Sequence, residues 1–152
     1  MSQAVIRPMS WWDIEDVVAI EHELFQADPW TAELFWAELA GVGESRDVAV
    51  LSVDDKIVGY CSLRHVGSEG DINTIAIAAS HQGQRLGSRL YDWMRLRAVE
   101  HGVRQLFLEV RSDNEAAKQM YVSLGFEEID RRKDYYAVDV HALVMRKRLS
   151  DD

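Results

Sequence analysis

Two hydrophobic patterns alternate along this chain, one with the period of a helix and one typical of strands. Residues 4–7 form a first short apolar stretch that predicts a strand. Apolar residues then recur at near-helical spacing over residues 12–25, which predicts a helix. After the break at Asp28-Pro29, Thr31 can cap a second helix that runs to about Leu39.

The pattern changes after this second helix. Residues 47–53, 57–66 and 69–77 are rich in apolar and β-branched residues, and turn residues separate them. Three such segments in succession are typical of an antiparallel meander.

The second half of the chain alternates helix and strand before it ends in two strands. The predicted elements are a helix at 87–101, a strand at 105–110, a helix capped by Asp113 or Asn114 and ending at Leu124, and strands at 127–136 and 142–148. The complete order is β-α-α-β-β-β-α-β-α-β-β. It predicts a mixed α/β (α+β) layer fold with a largely antiparallel sheet and one parallel crossover, in a single domain over residues 1–152.

The composition narrows the possible functions. The chain has 152 residues, of which 47% are hydrophobic, and a formal net charge of −9. This charge argues against general nucleic-acid binding and suits a cationic or amine substrate, although acidic proteins are common without one. The sequence shows neither a membrane-length apolar run nor the pattern of a signal peptide, so we expect a cytoplasmic protein.

Nucleophilic and metal chemistry find little support in the sequence. The single Cys61 lies in VGYCSLRHV, which is typical of a buried strand. The five histidines show no metal-ligand spacing, and the chain contains no HExxH, CxxC or GxSxG motif. We therefore expect no metal in the chemistry of this protein.

A short polar loop joins the strand at 69–77 to the helix that follows it. The start of a helix exposes N–H groups and carries partial positive charge, so a loop with glycines at this place predicts an anion site. Gly83 and Gly87 allow the backbone to approach a ligand, and Gln84 and Arg85 add donors. The loop fits neither the Walker A pattern nor GxGxxG, so this reasoning does not identify the anion.

Residues 82–87, with the sequence QGQRLG, resemble the pyrophosphate loop of the GCN5-related N-acetyltransferases, whose pattern is Q/R-x-x-G/A-x-G/A. The first and last positions match, whereas Arg85 stands where the family has a small residue. LFLEVR, SDN and a Tyr-x-x-x-Gly-Phe ending then follow in the family's order. Together with FQADPW and RRKDYY they are similar to the ribosomal-protein-alanine N-acetyltransferases (RimI type), over nearly the whole chain.

The resemblance implies an enzyme that moves acetyl from acetyl-CoA, as co-substrate, to the N-terminal α-amine of a protein. The first candidate acceptor is the alanine of the eighteenth protein of the small ribosomal subunit. The resemblance implies no nucleic-acid or membrane partner, and the sequence leaves the oligomeric state open. The residues implied in binding acetyl-CoA are Ile75, Ala76, Ile77, Gln82, Gly83, Gln84, Arg85, Leu86, Gly87, Ser88 and Asn114.

Glu109 is the candidate general base. It interrupts an otherwise apolar strand, where a buried carboxylate is costly unless it is paired or used. An ion pair with Arg111 or with a cation on a neighbouring strand explains it as well as catalysis does. The resemblance implies the catalytic role, because it places the family's base at the Glu of LEVR.

Tyr121 is the candidate general acid, and the resemblance again supplies the role. From the residues alone, an amphipathic tyrosine that packs its ring in the core is the better explanation, and only the family match favours the catalytic role. Asn114 can cap its own helix, contact CoA, or do both.

The acceptor side is less well defined by the sequence. The resemblance places Trp30, Tyr135 and Tyr136 near an acceptor peptide, and Asp28 or Asp134 could meet basic residues of that peptide. The tryptophans Trp11, Trp12, Trp30 and Trp36 are expected to be core or helix-packing residues. Two alternatives stay open: acetyl transfer to a lysine side chain, a polyamine or an aminoglycoside, and a CoA-binding or plain interaction module without catalysis.

Overall fold

The computed structural model describes residues 3–149, which form seven strands and four α-helices. The single-domain prediction also included residues 1–2 and 150–152, which lie outside the described part. The strands are β1 Ala4–Pro8, β2 Arg46–Val53, β3 Lys56–Val66, β4 Glu69–Ile77, β5 Gln105–Arg111, β6 Glu127–Ala137 and β7 Val140–Arg148. The helices are α1 Ile14–Leu24, α2 Ala32–Ala40, α3 Leu86–Glu100 and α4 Glu115–Ser123.

The seven strands form one sheet in the order β1-β2-β3-β4-β5-β7-β6. Every neighbouring pair is antiparallel except β4 and β5, which are parallel. This confirms the predicted fold class, including the one parallel crossover. α3 makes that crossover, because a helix is the usual connection between parallel neighbours.

The parallel pairing of β4 and β5 is short, and the sheet is open beyond it. Only Glu69, Gly70 and Asp71 of β4 lie opposite β5, where they face Gln105, Leu106 and Phe107. Beyond Asp71 the two strands have no register partners in each other, although both continue. The sheet therefore opens into a cleft between the second half of β4 and the second half of β5.

A β-bulge at Asn73 bends β4 where the cleft begins. Ser62 of β3 pairs with Thr74, and the next residue, Leu63, pairs with Ile72, so Asn73 is the extra residue. A bulge increases the local twist and turns a strand away from its neighbour. The Asn73 side chain donates to Glu38 Oε1 at 2.7 Å, which fixes the bulge to α2.

Two buried carboxylates, Glu21 of α1 and Glu38 of α2, attach these helices to one face of the sheet. Glu21 of α1 accepts from the Tyr60 hydroxyl at 2.6 Å and from the backbone N–H of Trp30 at 2.8 Å. Burial, and then this hydrogen bond to Glu21, raises the pKa of Tyr60. A buried carboxylate is tolerated only with such partners, so these bonds hold the helices at a defined position on the sheet.

The opposite face carries α3. Gly59 of β3 lies beneath Leu90 of this helix and leaves room for Ile77, because a Cβ added at Gly59 would lie 2.7 Å from the Ile77 Cδ1 atom. Cys61 lies beneath the same helix layer, is fully buried, and has a pKa raised by that burial. The expectation that it is a strand residue without a reactive thiolate agrees with this position.

The prediction that the four tryptophans are core or helix-packing residues holds in part: Trp11 and Trp36 stack with ring centres 6.3 Å apart, but neither they nor Trp12 lie in the core. Trp11, Trp12 and Trp36 expose 59%, 63% and 49% of their surface. They line a groove of about 500 Å³ on the outer side of α1 and α2. Trp30 is half-buried, and its ring lies 5.2 Å from that of Phe35.

Two short 3-10 turns were not predicted, at Trp11–Asp13 and Ala79–His81. A segment of three residues is too short for its apolar spacing to show a period. None of the helices among residues 3–149 combines the length and the hydropathy needed to cross a membrane.

Candidate active site

The cleft presents a strand edge without a strand partner. Along residues 72–77, β4 is paired only with β3, because its pairing with β5 ends at Asp71. Peptide N–H and C=O groups on the β5 side of this segment are therefore available to an extended ligand that carries amide groups. The predicted cofactor residues Ile75, Ala76 and Ile77 lie in this segment.

The loop after β4 brings the chain back to the same end of the cleft. The Gln82 side chain donates to the Ile77 carbonyl at 2.9 Å and closes the turn. Gly83 has φ +81°, a left-handed conformation that suits glycine. Gln84 and Arg85 are exposed beyond it.

α3 begins at Leu86 with free backbone donors. The first hydrogen bond across the start of the helix runs from the Arg89 N–H to the Arg85 carbonyl at 3.3 Å. The N–H groups of Leu86, Gly87 and Ser88 precede that bond, and at a helix start such groups are available to an anion. The Leu86 side chain is buried, so only its backbone faces the loop.

Arg85 occupies the position where the family pattern has a small residue. Its backbone conformation shows why a small residue suits this position. Its φ of 62° and ψ of 20° are left-handed, which glycine adopts at no steric cost. A non-glycine residue in this conformation costs roughly 1–2 kcal/mol. The chain keeps the loop conformation with an arginine, and the exposed guanidinium adds positive charge beside the helix start.

α4 packs next to the start of α3 and carries Tyr121. A Cβ added at Gly87 would lie 3.2 Å from the Met120 Sδ atom, so the glycine allows α4 to approach. Tyr121 is 8% exposed and packs edge-on against Phe126. Its hydroxyl makes no hydrogen bond to any of the residues from 3 to 149.

Burial raises the pKa of Tyr121. The cause is the loss of solvation, which disfavours the charged phenolate. The phenol is therefore protonated throughout the neutral range, and its hydroxyl donates no hydrogen bond to any described residue. This is the state that a general acid requires.

Asn114 takes the capping role that the sequence allowed. Its Oδ1 accepts from the Ala117 N–H at 3.1 Å at the start of α4. The Nδ2 group has no hydrogen-bond partner among the described residues. The cap thus leaves a donor available at the opening of the cleft.

Glu109 is exposed, which corrects the assumption that its strand buries it. Its Oε1 lies 3.4 Å from Arg132 of β6, so the cation that faces it is two strands away in the sheet. Arg111, the other partner considered, instead binds Asp113 and Asp28 at 3.1 and 3.2 Å. A partly exposed ion pair of this kind holds its carboxylate weakly.

Glu109 and Tyr121 belong to opposite sides of the sheet. Side chains alternate along β5, so Glu109 shares a face with Arg111, which reaches the loop between α1 and α2. Tyr121 belongs to α4, beside α3 on the other face. The opening between β4 and β5 connects these two faces.

Aromatic and charged side chains surround the acceptor side of the opening. The Arg111 guanidinium lies 5.0 Å from the Tyr136 ring centre, and that of Arg132 lies 5.5 Å from the Tyr135 ring centre. The two tyrosine rings meet edge to face at 5.1 Å. Burial, then the charges of Glu109 and Asp28, raise the pKa of Tyr136, which brings all these groups into one electrostatic environment.

His141 shapes the hairpin that carries these tyrosines. Its Nδ1 accepts from the Asp134 backbone N–H at 2.9 Å, and its own N–H donates to Ser112 Oγ at 2.8 Å. It stands where the resembling subfamily often has an acidic residue. In this chain it joins the β6–β7 hairpin to the segment between β5 and α4.

The sequence missed two contacts of this site: the ion pair of Arg132 with Glu109, and the ion pair of Arg111 with Asp28. Arg132 lies in the RRKDYY segment, but its contact with Glu109 depends on the pairing of β5, β7 and β6. Asp28 and Arg111 are 83 positions apart. No spacing rule connects residues so distant, so only the folded chain shows them.

An open strand edge suits an arm that contains amides, and the donors at the start of α3 suit a pyrophosphate. Coenzyme A has both parts. With a carboxylate and a protonated phenol at the opening, the fold and the site define a CoA-dependent N-acetyltransferase.

Comparison with known proteins agrees with this class. The model of the Acetyltransferase (GNAT) family matches residues 11–126, and the chain belongs to this family. The N-alpha-acetyltransferase RimI of Mycobacterium tuberculosis is 33% identical over 91% of this chain and 89% of its own length. The [ribosomal protein bS18]-alanine N-acetyltransferase of Haemophilus influenzae is 31% identical over 88% of each chain.

Solved structures agree with the fold. The crystal structure of the ribosomal-protein-S18-alanine N-acetyltransferase from Escherichia coli has a TM-score of 0.87 at 28% identity, covering 99% of this chain and 96% of the other. An aminoglycoside 6'-N-acetyltransferase in complex with coenzyme A has a TM-score of 0.84 at 12% identity, over 97% and 98% of the two chains. The second similarity concerns the fold alone.

Proposed function

We propose that this enzyme transfers acetyl from acetyl-CoA to the N-terminal α-amine of a protein, and that the acceptor is the N-terminal alanine of a small-subunit ribosomal protein. The mechanism is supported by two observations: Glu109 lies on β5 beyond its last pairing with β4, and the buried, protonated Tyr121 lies on α4 beside the start of α3. The name of the Mycobacterium tuberculosis relative supports transfer to an α-amine, and the name of the Haemophilus influenzae relative supports the ribosomal-protein alanine.

Residues 82–88 would hold the pyrophosphate through the free N–H groups at the start of α3, with Arg85 and Gln84 adding donors. The edge of β4 at residues 75–77 would pair with the amides of the pantetheine arm. Asn114 would add a hydrogen bond from Nδ2. The thioester supplied by acetyl-CoA would then lie in the opening, between Glu109 and Tyr121.

Glu109 would remove a proton from the acceptor through a water molecule. An N-terminal amine has a pKa of roughly 7.7–8.0, so part of it is already neutral at pH 7 and a carboxylate gives sufficient help. The partly exposed pair with Arg132 can be exchanged for the ammonium group of the acceptor at low cost.

The amine nitrogen attacks the thioester carbon, and the carbonyl oxygen becomes an oxyanion. Free N–H groups of the β4 edge would stabilise this charge. As the intermediate collapses, the C–S bond breaks and the Tyr121 hydroxyl protonates the departing thiolate of CoA. The attacking nitrogen loses its extra proton to water, and the Tyr121 phenolate takes up one proton from water, so the enzyme is restored. The products are the acetylated amine and free CoA.

Trp30, Tyr135 and Tyr136 would line the acceptor side. The Trp30 backbone is fixed by Glu21, and the tyrosines are fixed by the arginines stacked on them. Asp28, which is exposed beside Arg111, would meet basic residues that follow the acceptor alanine.

The test is acetyl transfer from acetyl-CoA to a short peptide that begins with alanine and continues with basic residues. A polyamine, an aminoglycoside and a lysine peptide with a blocked N-terminus serve as competing acceptors, and fragmentation locates the acetyl group. We expect acetyl on the α-amine of the alanine peptide.

Two other results would replace the proposal. Transfer to the lysine peptide or the polyamine instead would keep the chemistry and change the acceptor. Acetyl-CoA binding without transfer to any acceptor would identify a binding module.

A further inference from the structure

Asp47, His65 and His101 meet on the α3 side of the sheet although they are far apart in the sequence. Asp47 belongs to β2, His65 to β3, and His101 follows the last residue of α3. The Oδ2 atom of Asp47 lies 3.0 Å from His101 Nε2 and 3.5 Å from His65 Nε2. One ligand atom from each residue lies within 4.8 Å of the other two.

The set of side chains is that of a divalent transition-metal site. Two imidazoles and one carboxylate bind Zn²⁺ at about 2.0–2.2 Å, with a water molecule completing a tetrahedron. Ligand atoms around such an ion are then roughly 3.3 Å apart. The two distances to Asp47 Oδ2 bracket this value, and the two histidine ligand atoms lie within 4.8 Å of each other.

The histidine rings define the movement that coordination requires. They are stacked, with centres 3.7 Å apart and planes at 13°. Nitrogen lone pairs lie in the ring plane, so parallel stacked rings do not point at one common ion. The His101 side chain is 41% exposed at the end of α3 and can turn out of the stack, whereas His65 is 12% exposed and held.

We propose that Asp47, His65 and His101 bind one divalent transition-metal ion of the Zn²⁺ class, with His101 turning toward it. The ion would join β2, β3 and the end of α3. His65 lies opposite Gly70, in the part of the sheet where β4 and β5 are still paired. The site is therefore at the end of the sheet away from the cleft, and its role is structural and separate from acetyl transfer.

The test uses the full chain without a histidine tag, freed of metal by a chelator and titrated with ZnCl₂ in a calorimeter. We expect one ion per chain and an increase in the thermal unfolding temperature, because an ion that binds only the folded state stabilises it. Co²⁺ in place of Zn²⁺ reports coordination by visible absorption.

Three variants remove one ligand each: Asp47→Asn, His65→Gln and His101→Ala. Changes outside the ligand set alone weaken metal sites by about 10- to 100-fold, so each variant is expected to lose at least about 100-fold in affinity. His22→Gln, on the exposed side of α1, is the matched control and is expected to bind as the original chain does.

His101 is exposed, so the circular dichroism of His101→Ala is expected to match that of the original chain. This variant therefore tests the site even if the other two variants fold poorly. Absence of stoichiometric Zn²⁺ binding would overturn the proposal. Binding of equal strength in His101→Ala and His22→Gln would also overturn it, because the ion would then lie elsewhere.

Discussion

Tyr121 is a single residue whose environment determines its chemistry. Its raised pKa has one cause, the burial of the phenol, and its hydroxyl is free of partners among residues 3–149. In Tyr121→Phe the ring packing against Phe126 persists and the proton is lost. We expect turnover to fall by about 100-fold or more while the Kd of acetyl-CoA changes little. Steady-state kinetics and calorimetry measure the two quantities.

The pH profile of Tyr121 adds a second observable. A phenol with a raised pKa stays protonated above pH 10, so the acid function should not fail between pH 8 and pH 10. A rate that falls in this interval with the ordinary pKa of tyrosine would exclude Tyr121 as the acid, as would unchanged turnover of the phenylalanine variant.

Glu109 can be tested by the shape of a pH profile. Glu109→Gln removes the proposed base and keeps the size of the side chain. We expect about a tenfold loss of rate near pH 7, where most of the acceptor amine is protonated, and a smaller loss above pH 9, where the neutral amine is abundant.

Glu128→Gln is the matched control for this substitution. Glu128 is also an exposed carboxylate paired with an arginine, Arg131, at 3.2 Å, but it belongs to β6. The rate of Glu128→Gln should equal that of the original enzyme. If the ratio of Glu109→Gln to wild-type rates were the same at every pH, Glu109 would be a structural partner of Arg132 and not the base.

At the scale of elements, Glu38 connects α2 to the sheet. It is 6% exposed and accepts from Ser62 Oγ, Asn73 Nδ2 and Arg46 Nε at 2.6–2.7 Å. Glu38→Gln removes the charge that Arg46 pairs with. We expect the free energy of unfolding to fall by about 2–3 kcal/mol in denaturant titrations. Glu33→Gln, on the exposed side of the same helix, should change it little.

The pH dependence of this effect has a defined sign. Burial alone raises the pKa of Glu38, but hydrogen bonds from Ser62, Asn73 and Arg46 outweigh it and the net pKa is lowered. The stabilisation is therefore present above the ordinary carboxyl pKa and is lost as the pH falls through the lower folded-state value. The difference between wild type and Glu38→Gln should shrink on acidification; a difference that is constant to pH 3 would contradict the ion-pair explanation.

Element boundaries were largely predictable, because periodicity and caps act within a few residues. The strand at 69–77 was predicted with the bounds that it has, and Asn114 and Thr31 cap their helices as predicted. The 3-10 turns were not predicted because they are too short to show a hydrophobic period. The exposure of Trp11, Trp12 and Trp36 was not predicted because helical spacing shows that an aromatic residue lies on one face of a helix, and not whether another layer covers that face.

At the scale of the whole molecule, the net charge of −9 should steer a basic acceptor. We expect the KM of an alanine peptide with a basic tail to rise at least about threefold between 0.05 and 0.5 M NaCl, because salt screens exposed charges over distances beyond roughly 10 Å at 0.1 M. The same peptide with a neutral tail is the control, and its KM should stay nearly constant. Equal responses of the two peptides would remove any role of the overall field.

The sequence by itself predicted the order of elements, their bounds to within a few residues, the free donors at the start of α3 and, through the family resemblance, Glu109 and Tyr121 as the candidate base and acid. Those features depend on local spacing or on motifs within a few residues, so a linear reading contains them. The tertiary structure decided which strands separate, that Glu109 faces Arg132, and that Asp47, His65 and His101 meet. Such contacts arise from sheet register and helix packing between distant segments, because the pairing of β4 with β5 stops at Asp71 and the end of α3 packs against β2 and β3.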